Sequence, residues 1–449
     1  MADSSLTRTI SSAGSLTTWT FSAWVKLSEG TSANLGLFSQ GSSGDNVTSI
    51  FFNHNNGSHR LEWRQYQSGA YTARKTTYGA FNDRSAWYHI VCQWDSTNGT
   101  AGDRMKIYIN GERETSFDNS TDPSSSLSSL INSTTGTMSI GKYWDNSNFM
   151  NGFISHAAFV NNAIVAPTVF GETDSTSGIW KFKSPSGVTW GTNGFHLKFE
   201  NSGALGTDSS GQSNTFTVNG TLKQSIDTPS NVYSTLNAAF NLSDIQLTEA
   251  GMRTKNTNSN WKYINSTLAA PSGKWYCEHK ININGGYVMV GVTDMQYATS
   301  QDKNSYTHCG AGTGGVGFYN ADGNKYLQAS ATSFAGSYTT GDIIGCALDM
   351  DNNKVYFSKN GNWANGSGGY GSSTFDAAVG AITLPTTDAT YGFAVSVRSS
   401  AVVQSNFGTG QFGATTITSA GSNGNGSLFE YDVPSGFYAL NTKNINTYG

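Results

Sequence analysis

A chain of 449 residues is long enough for at least two domains, each with a full core. Charged residues are only 12%, about half the ~25% usual in soluble proteins, and Gly (52), Ser, Thr and Asn fill the balance with 12% aromatics. This excludes long helices, which need runs of Ala, Leu, Glu and Lys, and favours short strands joined by turns. The net charge of −4 with no basic cluster argues against nucleic-acid binding, and no run of about 18 apolar residues marks a membrane span. The opening MADSSLTRTISSAG lacks an apolar core segment, so classical secretion is not expected. The cysteines, Cys92, Cys277, Cys309 and Cys346, have no C-x-x-C spacing and predict no zinc site. Three sit in apolar contexts and read as buried; Cys309, in a Gly-rich loop, reads as exposed.

In chain order, "SLTTWTFSAWVKLSEG" (15–30) alternates Trp19, Phe21, Ala23 and Val25 with Thr20, Ser22, Trp24 and Lys26, which predicts a half-buried strand. Further strands are expected at 36–39, 49–53, 60–64 and 87–95, and at "RMKIYINGERE" (104–114), which ends in an Asn-Gly hairpin turn. "TMSIGKYWD" (137–145) and "MNGFISHAAFVNNAIV" (150–165) complete a set whose spacing predicts a β-sandwich. The order from "WTFSAWVKLS" through "KIYINGE" to "NGFIS" resembles the laminin-G-like, concanavalin A-like jelly rolls, over 1–165.

The stretch 166–237 reads as a connector. It holds a candidate strand at 195–199 that could join the first sandwich, an Asp208-Ser209-Ser210-Gly211 turn, and a linker candidate at 227–237. Residues 238–412 form a second domain, followed by a C-terminal extension, 413–449. Its clearest local signal is "GDIIGCALDMDNNKVYFSKNG" (341–361), two apolar runs around an Asp/Asn-rich turn, which predicts an antiparallel hairpin with Ile344, Cys346 and Leu348 on one face. Asp349 and Asn352 border the turn, where Ala substitution is expected to cost about 1 kcal/mol or less. With "GKWYCE" (273–278) and Val290-Gly291-Val292, this hairpin resembles the SPRY domain. The fold class expected is all-β: two antiparallel, jelly-roll-like β-sandwich domains, concanavalin A-like then SPRY-like.

Glucanases of the concanavalin A-like class use a Glu-x-Asp-x-x-Glu strand to set an acid and a nucleophile about 5 Å apart. Glu430-Tyr431-Asp432 comes nearest but lacks the second Glu, and Glu62 has no paired carboxylate. There is no G-x-S-x-G elbow, and the Gly-rich 310–317 lacks the Lys-Ser/Thr ending of a phosphate loop. A non-enzyme is therefore expected. No cofactor is called for; calcium is the one candidate ion, through Asp95, Asn98 and Asp103, although a polar solvated loop is the commoner reading of such a stretch. Binding is the better expectation, because sandwich loops carry recognition and flat rings stack on sugar faces. The candidate ligand-binding rings are Trp63, Tyr66, Tyr71, Tyr143, Trp144, Tyr297 and Tyr306.

The two-sandwich order, together with "FGETD", "TNGF", "DTPSN" and "PSGFYALNT", resembles a family of tailed-phage virion proteins over essentially the whole chain. That resemblance implies a virion-surface protein, either a tail fibre or appendage for host-surface attachment or a capsid decoration or head-fibre protein, with a glycan depolymerase as a third class. The partners it implies are other virion proteins and a bacterial surface glycan or receptor, with no nucleic acid and no membrane insertion. It also implies a homo-oligomer, a trimer being one arrangement, on the tail or the capsid exterior.

Overall fold

The alternation at the N-terminus forms the strand Thr18–Leu27, with Trp19, Phe21, Ala23 and Val25 in the core. The other face is buried too, contrary to the half-buried expectation. Trp24 stacks on His89 at 4.7 Å, and Phe182 from a later segment meets the Trp24 ring edge-on at 6.4 Å. The computed structural model describes residues 4–28, 33–175, 178–237, 244–285, 287–296 and 308–449. The chain divides into two compact units, Met1–Gln224 and Ser225–Gly449.

Among the described residues, the first unit holds an eight-stranded and a six-stranded antiparallel sheet. The larger runs Phe117–Thr121, Ala70–Ala80, Ser58–Gln67, Asn46–Asn55, Leu35–Ser43, Thr137–Ile140, Ser5–Thr9, Thr217–Asn219. The smaller runs Phe195–Leu197, Gly152–Asn161, Thr18–Leu27, Tyr88–Asp95, Met105–Ile109, Glu112–Arg113. Trp19, Trp63 and Trp94 meet between them, with ring centroids 5.3 to 6.2 Å apart. The outer face of the smaller sheet is covered by the segment around Phe170, Trp180, Phe182 and Trp190; Trp180 Nε1 donates to His89 Nδ1 at 3.1 Å.

Residues 166–224 thus lie within the first unit. The strand expected over 195–199 ends at Leu197, because Phe199 takes a left-handed backbone (φ 61°), and it pairs with Gly152–Asn161. Residues 227–237 pack into the second unit rather than linking the two: Tyr233 is buried and bridges Asn441, and Leu236 bridges Ser266.

In the second unit, Ile343–Asp349 lies between Lys274–Ile283 and Lys354–Lys359. Ile344, Cys346 and Leu348 are fully buried against the opposing sheet, as the alternation predicts. The run is apolar throughout because its other face is covered as well. Ala347, Tyr276 and Tyr356 pack under Phe429, Val433 and Phe437 of the C-terminal extension. Glu278 fastens that cover: its buried carboxylate accepts the backbone N–H of Glu430 at 2.8 Å and of Tyr431 at 2.9 Å. The six-stranded partner sheet includes Lys262–Asn265, Tyr391–Val397, Val288–Asp294 and Gly315–Tyr319. Cys309, expected to be exposed, is buried on its outer face beside Met289 and Ala394, with its N–H donated to Ser396 Oγ at 2.9 Å.

Candidate functional site

Period-2 alternation divides Ser58–Gln67 cleanly. Leu61, Trp63 and Gln65 point into the core, while Glu62, Arg64 and Tyr66 face outward. Next to them on the same outward face stand Val47 and Phe51 of Asn46–Asn55, paired with Tyr66 and Glu62, and Arg74 and Tyr71 of Ala70–Ala80, paired with Arg64 and Tyr66. The loop 142–149 lies across this face. It approaches so closely that a Cβ on Gly36 would stand 2.4 Å from the Lys142 carbonyl carbon, so the strand beneath requires glycine there. The loop delivers Tyr143 edge-on to Phe51 at 5.8 Å and sets Trp144 on the same small apolar cluster.

A buried carboxylate organises the polar half of the patch. Glu62 has no exposed surface and accepts from Arg64 at 3.3 Å, Arg74 at 3.0 Å, Thr76 at 3.2 Å and Asn53 at 3.1 Å. Arg64 also donates to the Tyr143 hydroxyl at 2.6 Å and the Tyr71 hydroxyl at 3.3 Å. Burial pulls the Arg64 guanidinium down, but Tyr143, Glu62 and Tyr71 outweigh it and the net direction is up. The Tyr71 ring is 40% exposed, with the Arg74 guanidinium 4.7 Å from its centre, and it meets Tyr66 edge-on at 4.9 Å. The result is a set of rings with fixed donors and acceptors beside them, an arrangement suited to stacking on a sugar while bonding its hydroxyls.

Four of the predicted rings, Tyr66, Tyr71, Tyr143 and Trp144, therefore meet on one face. Trp63 does not join them: it is fully buried, and one step along the strand turned it into the Trp19–Trp94 cluster. Tyr297 and Tyr306 lie outside the described residues. Arg64, Arg74 and Glu62 were missed, although their parity with Tyr66 along one strand and across the hairpin is readable in the sequence.

In the calcium candidate loop, Asp95 accepts from the Thr97 hydroxyl at 2.7 Å and the Asn98 amide at 3.5 Å. The Asn98 side-chain oxygen accepts the Thr100 N–H, and Asp103 pairs with Arg113 at 2.6 Å. Each group has a protein partner, and among the described residues no cluster of three or more His, Cys, Asp or Glu is placed to hold a metal.

A second aromatic group, also missed, lies on the six-stranded sheet of the second unit. Trp261 meets Tyr287, Tyr319 and His308 at 5.7 to 6.1 Å, and the Arg398 guanidinium stands 4.5 Å over Tyr287.

Comparison with known proteins agrees with this division. Residues 3–170 match the concanavalin A-like lectin/glucanases superfamily (Laminin_G_3), and residues 274–384 match the SPRY domain. The chain carries a concanavalin A-like β-sandwich followed by a SPRY β-sandwich. Similar proteins include the Ran-binding proteins 9/10 homolog of Drosophila melanogaster, 30% identical over 101 residues, 21% of this chain and 10% of the relative. Human Ran-binding protein 9 is 30% identical over 101 residues, 21% of this chain and 12% of the relative. The chain thus spans a small part of each relative's length. A solved human SPRY domain is 20% identical, covering 36% of this chain and 94% of that domain, with a TM-score of 0.26.

Proposed function

We propose that this chain is a non-enzymatic attachment protein whose first unit binds a bacterial surface glycan through the outer face of its eight-stranded sheet. The observation that carries this reading is the convergence of Tyr66, Tyr71, Tyr143 and Trp144 with Arg64, Arg74 and Glu62 on one sheet face. The non-enzymatic part is supported by the setting of its carboxylates. Glu62 is saturated by two guanidiniums, Glu278 holds backbone amides in the interior, and Glu430 is bonded to Thr418. The whole-chain resemblance to tailed-phage virion proteins supports a place on the virion surface, as a tail appendage assembled with other virion proteins. SPRY and laminin-G domains mediate protein interactions, which agrees with a second unit that docks to those proteins.

The test is retention of the purified chain on immobilised bacterial surface polysaccharide. The parent and a Tyr287→Ala variant should be retained and Tyr71→Ala released, with no reducing ends formed. Reducing-end release abolished by Glu62→Gln or Glu430→Gln would sink the non-enzyme reading. Retention unaffected by Tyr71→Ala would move the site elsewhere.

A capsid-decoration role is favoured by one observation, the Trp261, Tyr287, Tyr319 and Arg398 group, which offers an aromatic surface for a protein neighbour. Co-purification of the chain with capsid but not tail fractions would favour it.

A further inference from the structure

The outward residues of Ser58–Gln67 carry an unequal charge count. Arg60 is balanced by Asp118 at 3.2 Å. Arg64 and Arg74 share the single carboxylate of Glu62, which leaves one positive charge uncompensated, in a chain whose net charge is −4. The overlying loop carries one charge of each sign, Lys142 and Asp145, and so adds nothing to the count. The Arg64 and Arg74 side chains remain 23% and 24% exposed, so part of each faces solvent. The Tyr71 ring borders both, its centre 5.8 Å from the Arg64 guanidinium and 4.7 Å from that of Arg74.

We infer that the saccharide taken by this face is acidic, a uronic- or sialic-type sugar whose carboxylate meets the Arg64–Arg74 pair while its ring lies on Tyr71; this rests on the glycan reading above. A guanidinium held flat by a buried carboxylate is pre-set for a planar anion and loses little freedom on binding it. A neutral sugar would leave the surplus charge unanswered. An extended acidic peptide fits less well: Ser58–Gln67 is hydrogen-bonded to strands on both sides, so this face presents no free strand edge for a peptide to extend.

The experiment is calorimetric titration of the full chain with oligogalacturonate and oligosialate, with the methyl esters of both, with a sulfated neutral oligosaccharide, and with hexaglutamate. The acids should bind at least about tenfold more tightly than their esters, and the preference should shrink as salt rises. Arg74→Gln should cut acid binding by at least about tenfold and ester binding by much less, so that the preference is lost. Tyr71→Ala, on an exposed ring that leaves the fold intact, should weaken acid and ester alike. Equal binding of acid and ester, both lost in Tyr71→Ala, would overturn the acidic assignment and leave the glycan reading standing. Sulfated sugar binding as tightly as the acids would overturn the carboxylate assignment. No saccharide binding, with or without capture of hexaglutamate, would overturn this inference and the glycan reading together.

Discussion

Glu278 accepts the backbone N–H of Tyr431 across 153 residues of sequence, fastening the C-terminal extension to the SPRY sheet. Burial raises the Glu278 carboxyl to about 7, opposed by the N–H bonds of Glu430 and Tyr431 and by the Tyr276 hydroxyl. Its folded value lies above the unfolded one, so the folded chain binds this proton more tightly. The contribution of Glu278 to stability is full below about 4.5 and is lost as pH rises through about 7. Melting of parent and Glu278→Gln chains should give a difference that shifts by on the order of 3 kcal/mol between those limits and is flat above them. A difference that is flat from pH 4 to 8 would contradict the burial of this group.

The histidines act in the opposite sense. Burial lowers His89 to about 3 and His59, His156 and His196 to about 4, all in the first unit. Each folded value lies below the unfolded 6.5, so the stability is present above 6.5 and is lost as pH falls toward 4. Each can remove up to about 1.4 kcal/mol per pH unit. The second unit holds only His279 and His308 lowered in this way, with Glu278 opposing them. Tryptophan fluorescence followed from pH 7 to 4 should show the first unit melting before the second. The reverse order would contradict this balance.

Leu348 is fully buried between sheets, and Leu348→Ala should cost about 2–5 kcal/mol through lost burial and a residual cavity. Asp349 is not the mild turn residue expected from the sequence. It is 2% exposed, pairs with Lys274 at 2.6 Å and accepts from the Asn352 backbone and amide. Asp349→Ala should cost about 1–3 kcal/mol and Asn352→Ala about 1 kcal/mol or less. Denaturant melting of the full chain should rank them Leu348, Asp349, Asn352.

Limited trypsin treatment should cut first at Lys223. It is exposed at the unit boundary, and just beyond it the Gln224 side chain is tied to the carbonyls of Phe199 and Glu200. First cuts after Lys354 or Lys359, in the buried hairpin, would contradict the division.

What could be read in advance was local. Alternation placed Trp19, Phe21 and Val25 inward, and the Asp/Asn turn placed Ile344 and Leu348. The covering segments could not be read this way. Trp180 and Phe182 sit on a three-residue strand too short to show a period, and Phe429 and Phe437 reach their sheet through irregular chain, so a strand buried on both faces, Thr18–Leu27, resembled one buried on a single face. Cys309 failed for the same reason: its Gly-rich surroundings suggest exposure, while its burial depends on Met289 and Ala394 far away in sequence. The site was half legible. Aromatic richness indicated Tyr66 and Tyr71, and strand parity, applied strictly, would have removed Trp63 and added Arg64.

The most direct measurement is hydroxyl-radical footprinting of the full chain with and without bacterial surface polysaccharide. Oxidation of Tyr66, Tyr71 and Trp144 should fall when polysaccharide is added, while Trp261 and Tyr287 stay unchanged. Protection confined to Trp261 and Tyr287, or no protection at any of these rings, would contradict it.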